Sequence, residues 1–151
     1  MSENIAVETL LEEMADRLEA RDVAYKPNAY RRAADSIRSH TVAVDRLYEK
    51  GGEDAIAEID DVGDAIAAKT AEFLETGSIS ELEKLREELP VEMDALTAVE
   101  GVGPKTVASL YDALGIETLD DLEAAAERGE IREVSGFGEK TESNILKNIP
   151  F

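Results

Sequence analysis

The sequence predicts an all-α protein: a small helical bundle followed by a region built from tandem helical hairpins. Three observations predict it. Apolar residues recur at three- and four-residue spacing along most of the 151 residues, and the one short run with strand-like alternation is 41-TVAV-44. Helix-ending signals, glycine and proline above all, separate the apolar stretches at short intervals. One pattern, apolar-x-x-apolar-Gly followed by an apolar helix, returns three times.

The elements follow in order. Ile5, Val7, Leu10, Leu11, Met14 and Leu18 form an apolar stripe with charge on the opposite face. Asn28 is expected to cap a helix through Ala29, Tyr30, Ala33, Ala34 and Ile37. A shorter helix runs from Val42 to Lys50 and ends at Gly51-Gly52, and another covers Asp54 to Ile59. The string 51-GGED-54 matches the signature of cyclic-dinucleotide synthases, but no strands flank it, so it reads as a turn and a helix start. Gly63 precedes a helix carrying Ile66, Thr70, Phe73 and Leu74, closed by Gly77. Ser80-x-x-Glu83 is a capping box for the next helix, which Pro90 ends. Helices then cover 91–98, 104–114, 118–128 and 139–149. The expected division is residues 1–89 as the bundle and 90–151 as the hairpin domain.

Composition narrows the function. With 43% hydrophobic residues a core can form, and with 5% aromatics and no tryptophan it rests on Leu, Ile, Val and Ala. The absence of cysteine excludes disulfides, thiolate zinc sites and cysteine nucleophiles, and the single histidine, His40, cannot build a metal cluster. No apolar run reaches membrane-spanning length and no signal peptide precedes the first helix, so a soluble cytoplasmic protein is expected. Thirty-five acidic residues face sixteen basic ones, and the formal charge is −19. Two readings compete: an acidic interaction protein that mimics or avoids nucleic acid, or adaptation to a salt-rich cytoplasm. The dispersed acid and scarce lysine favour the second. At about 1 M salt the Debye length is roughly 3 Å, so self-repulsion fades.

The three repeats are 59-IDDVGDAIAAKTAEFL-74, 99-VEGVGPKTVASLYDAL-114 and 134-VSGFGEKTESNIL-146. Each reads as a helix-hairpin-helix, with Gly63 opening a degenerate first copy. In the second copy Gly101 and Gly103 suit tight backbone angles and close approach of a ligand. Val102 points inward, and Pro104 fits the first helical position. The next helix offers free N–H groups and a positive dipole end to an anion. Lys105 and Thr106 add side-chain donors. Gly136, Gly138, Lys140 and Thr141 are their counterparts in the third copy, with Phe137 as the anchor. Gly-x-Gly between helices also serves as a plain turn or as a protein-binding module, so three readings stay open: DNA-backbone binding, an enzyme, and a protein scaffold that has lost DNA binding.

Charge placement favours phosphate. Residues 26–38 carry Lys26, Arg31, Arg32 and Arg38 against Asp35. Residues 101–111 carry Lys105 and no acid, and 131–148 are neutral in sum. A grip by backbone amides depends far less on net charge than a basic patch, whose affinity falls steeply with salt.

In this order, 26-KPNAYRRAADSIRS-39, the 59–76 hairpin and the two later hairpins resemble the N-terminal region of family X DNA polymerases. Archaeal and bacterial members are nearest, and the polymerase-beta branch is more distant. The resemblance covers essentially the whole chain. It implies binding to gapped or nicked DNA or to single-strand ends carrying a 5′-phosphate, with Lys26, Tyr30 and Arg31 in a second site and Tyr25 stacking on a base. It implies a monovalent cation, Na+ or K+, on the backbone of Val99, Gly101, Val134 and Gly136, and no other cofactor. It also implies further polymerase domains C-terminal to this chain, which itself has no Gly-Ser-x-x-Arg motif and no Asp-x-Asp pair for nucleotide addition. Lys69 matches the family's Schiff-base lysine. Two departures count against a lyase: Asp61 stands where the family has glycine, and Ala65 where it has a phosphate-binding lysine. Asp60, Asp61, Asp64 and Glu72 would also favour the charged amine, with Glu72 its expected ion-pair partner.

Overall fold

The computed structural model describes residues 2–149. Among them it contains α1 (Ser2–Ala20), α2 (Lys26–Ser39), α3 (Val44–Ala57), α4 (Asp64–Thr76), α5 (Ser80–Glu88), α6 (Met93–Thr97), α7 (Pro104–Leu114), α8 (Leu119–Glu127), a 3₁₀ turn at Ile131–Glu133, and α9 (Glu139–Asn148). No strand occurs among the described residues, as the all-α reading expects. The chain forms two compact units. The first runs to Leu18 and resumes over Val23–Leu85, and the second takes Glu19–Asp22 and the chain from Arg86 onward.

In the first unit Val7, Leu11 and Met14 of α1 pack with Ala33, Ala34 and Ile37 of α2 and with Val44, Ile56, Ala67 and Ile79. Each large aliphatic side chain buried in this way stabilises the fold by roughly 1.5–3 kcal/mol. Ile5 departs from the expected stripe and is 59% exposed, because it falls on the outer face of α1.

Asn4 sits on the inner face and is only 3% exposed. Its Nδ2 donates to Ile37 O (3.0 Å) and Val42 O (3.3 Å), and its Oδ1 accepts from Val44 N (2.8 Å). One side chain thus fixes both the end of α2 and the start of α3. Asn4→Leu strands these buried groups, and chemical denaturation is expected to show a loss of about 1–3 kcal/mol. A loss under a few tenths would mean that water replaces the amide.

Several boundaries differ from expectation. Pro27 takes an early position in α2, so the helix begins at Lys26 and Asn28 lies inside it rather than capping it. Its cap, Tyr25, has φ 67° and ψ −45°, and Lys26 N donates to Ala24 O at 2.7 Å. This is the rare, strained γ-turn with positive φ. The two short helices expected on either side of Gly51-Gly52 join into α3 with a kink at Gly52, whose φ of 67° suits glycine. Ser80 does not precede its helix. It is the first residue of α5, Glu83 N donates to Ile79 O, and both the amide and the hydroxyl of Ser80 donate to the Glu72 carboxylate. Those bonds lower the pKa of Glu72.

The core of the second unit gathers Met93, Leu96, Val99, Val102, Val107, Leu110, Ile116, Leu122, Ile131 and Ile145. Thr118 caps α8 by accepting from Asp121 N (3.1 Å), while the Asp121 carboxylate accepts from Glu117 N (3.0 Å). This reciprocal bonding satisfies amides that a helix start leaves open.

Candidate nucleic-acid interface

The three repeats fold into the same backbone. Val62 N donates to Ile59 O (3.1 Å), Val102 N to Val99 O (3.0 Å) and Phe137 N to Val134 O (3.0 Å). One residue earlier, Asp61, Gly101 and Gly136 are left-handed, with φ of 65°, 91° and 87°. One residue later, Gly63, Gly103 and Gly138 are extended caps, with ψ of 179°, 178° and −179°. Gly63 O, Gly103 O and Gly138 O then accept from Ala67 N, Val107 N and Glu142 N at 2.9–3.0 Å. The first copy, degenerate by sequence, is therefore complete in backbone. Asp tolerates the left-handed region better than most residues, at a cost of about 1–2 kcal/mol relative to glycine. Asp61→Gly is expected to raise stability by about 1 kcal/mol, read by chemical denaturation. No change would mean that the loop relaxes around Asp61.

Of the four glycines in the second and third bends, Gly101 and Gly136 need glycine for its backbone freedom. The φ values of Gly103 and Gly138, −101° and −125°, are open to any residue. What these two glycines provide is access. A Cβ built at Gly101, Gly103, Gly136 or Gly138 meets nothing within 4 Å, so neighbouring helices leave both bends open. Helices α4, α7 and α9 have no side-chain cap, so the amides of their first turns, of which Pro104 supplies none, lack a helical acceptor. The first turn of α7 holds no acid, whereas α4 begins with Asp64 and α9 with Glu139. Electrostatically the second hairpin is the best anion site of the three. Val102 is buried as the inner anchor, and Phe137 is partly buried in the same role.

The predicted side-chain donors divide. Lys105 is exposed and pairs with Asp22 at 2.8 Å, which raises its pKa. Lys140 and Thr141 are exposed, and Thr106 is half-buried. In the first unit Lys26 is exposed, while the Arg31 guanidinium reaches Asp16 at 2.9 Å. Lys69 pairs with Glu81 (3.6 Å) rather than with Glu72, which serves Ser80. Tyr30 is buried beside Lys69 and Glu81. Burial pushes its hydroxyl pKa up, Lys69 opposes the shift, and Glu81 adds to it. Tyr30 and Lys69 are thus brought together, but the tyrosine ring is not open to a base. Tyr25 is 90% exposed.

Sequence reasoning missed the Arg132–Glu142 pair. Glu142 is 3% exposed and accepts from Arg132 N (3.0 Å) and Arg132 Nε (2.9 Å), while Arg132 also reaches Glu139 at 2.7 Å. Burial pushes the Glu142 carboxyl up, but the Arg132 bonds outweigh it and leave the pKa below the usual range. Aligning the repeats would have exposed this residue, because Ala67 and Val107 fill its place in the other copies.

Two family comparisons agree with this geometry. The family described as helix-hairpin-helix domain matches residues 2–79, and the SAM-like helix-hairpin-helix tandem matches residues 93–149. The chain belongs to the helix-hairpin-helix domain family. Over 141 residues, 93% of this chain, it is 29% identical to DNA polymerase/3'-5' exonuclease PolX of Bacillus subtilis (strain 168). It spans 24% of that protein's length. The resemblance to family X polymerases read from the sequence holds. No helix among the described residues is long and apolar enough to cross a membrane.

Proposed function

We propose that this chain binds the DNA backbone without reading sequence, at gaps, nicks or 5′-phosphate ends. The observation that carries this reading is the pair of open, uncapped bends at Gly101–Gly103 and Gly136–Gly138. Uncapped helix amides and the positive end of a helix dipole complement phosphate oxygens. Lys105, Thr106, Lys140 and Thr141 flank the bends as side-chain donors. Lys26 and Arg31 form a second, weaker contact in the first unit, with Tyr25 free to stack on an unpaired base. The test is NMR titration with a gapped duplex in concentrated KCl. Shifts at the amides of Gly103 and Gly138 support the reading. Unshifted amides at both would leave a protein scaffold as the better account.

A monovalent cation, Na+ or K+, fits the loops by donor chemistry. Val99 O and Val134 O each accept one amide and keep a second lone pair. With the carbonyls of Gly101 and Gly136 they give an all-oxygen set. A cation there would offset phosphate charge.

The dispersed charge of −19 supports work in a salt-rich cytoplasm. The similarity to a stretch of PolX about a quarter of its length supports further polymerase domains C-terminal to this chain. A second reading, a Schiff-base lyase through Lys69, is favoured by that lysine's half-buried setting beside Tyr30. The ion pair with Glu81 counts against it, since the attacking amine must be neutral. A borohydride-trapped adduct on abasic DNA that vanishes in Lys69→Ala supports the lyase, and no adduct at any salt removes it.

A further inference from the structure

Helix α1 ends in a turn whose hydrogen bonds define a tight left-handed cap. Asp22 N donates to Glu19 O (2.9 Å), Val23 N donates to Leu18 O (3.0 Å), and Asp22 has φ 63°. This position is usually glycine, sometimes asparagine. Here it carries a carboxylate, which is doubly unfavourable: the backbone is left-handed, and a negative charge sits at the negative end of a helix dipole. The carboxylate has one strong compensating contact, Lys105 Nζ at 2.8 Å. Both side chains are largely exposed, at 80% and 65%, so either is free to exchange its partner. Lys105 is the one lysine in the first turn of α7, beside the bend with the most favourable field for phosphate.

We infer that Asp22 is an internal stand-in for phosphate, which Lys105 exchanges for a DNA phosphate when the second hairpin binds. The inference rests on the DNA-binding reading above and adds to it how affinity responds to salt. A lysine that reaches a phosphate releases about one condensed cation from DNA. Breaking the exposed Asp22–Lys105 pair becomes less costly as salt screens it, which offsets part of the salt dependence at this contact. The lower affinity at low salt brings with it a shallower fall as salt rises.

Asp22→Asn tests this, since asparagine suits the left-handed turn. The full chain is titrated by fluorescence anisotropy with a 5′-phosphorylated gapped duplex across a KCl series. Asp22→Asn is expected to tighten binding by about two- to fivefold at low salt, the size of an exposed ion pair. It is also expected to steepen the slope of log affinity against log salt, by at most about one. Both changes are expected to disappear in the Lys105→Gln background. Unchanged affinity and slope, or a gain that persists without Lys105, would overturn the inference. The NMR titration of the Lys105 side chain reads the pair without DNA: its pKa falls in Asp22→Asn if the pair exists. If the parent chain fails to bind DNA while this pKa falls, the binding proposal fails and the ion pair stands. A Lys105 pKa indifferent to Asp22 sinks the inference itself.

Discussion

The double variant Gly103→Ala, Gly138→Ala is expected to lose most of the affinity for gapped DNA proposed above while its fold remains intact. Both caps are extended, and nothing lies within 4 Å of the added methyls, so alanine enters without a clash. Exchange of glycine for alanine at a helix cap costs at most about 1 kcal/mol each. In the proposed binding mode the methyls nevertheless stand beside the amides that would meet a phosphate. A hydrogen bond to a charged group contributes about 1.5–3 kcal/mol, so weakening one at each bend lowers affinity by roughly tenfold or more. Anisotropy titration reads the affinity, and thermal unfolding confirms the fold. Unaltered affinity would move the phosphate contact away from the bends. Gly101→Ala is the contrasting variant: its φ of 91° makes alanine strained, so stability falls together with binding.

Arg132→Ala is expected to destabilise the second unit. It leaves Glu142, 3% exposed, without its guanidinium in a site where the other repeats place an alanine or a valine. Arg132 is itself 42% exposed, so the loss comes from the buried carboxylate left behind, and replacing both groups by apolar ones is less damaging than removing the arginine alone. Arg132→Leu with Glu142→Val is therefore expected to recover most of the loss, because valine matches Val107 of the second hairpin. Thermal unfolding of the two variants decides this, and a double variant no better than Arg132→Ala would refute it. Acid has a related effect. The folded pKa of Glu142 lies below its ordinary value, so its stabilising contribution is fully present above that value. The contribution is lost as pH falls through the lower, folded pKa. In Arg132→Leu burial acts on Glu142 without the guanidinium to oppose it, so the stability gap to the parent chain is expected to narrow as pH falls, read by chemical denaturation at a series of pH values.

The repeats were legible because a helical hairpin imposes strict local demands. A left-handed residue, an inward apolar anchor and an extended cap follow one another, and glycine marks two of the three positions. The first copy looked degenerate because Asp61 hides its left-handed backbone behind an unexpected side chain. The helices were legible from spacing, but their starts were not. Pro27 and Ser80 each entered the first turn, where local geometry outweighed the capping preference of Asn28 or Ser80. Least legible were the ion partners. Asp22 for Lys105 and Glu81 for Lys69 depend on tertiary placement, which no local pattern encodes.

Tyr25 gives this chain an optical handle. With no tryptophan and four tyrosines, tyrosine emission is its intrinsic signal. Tyr30 is buried and Tyr48 and Tyr111 are half-covered, so iodide in solution meets the Tyr25 ring first. Whatever covers the start of α2 shields that ring from quencher, and the event can be followed without attaching a label.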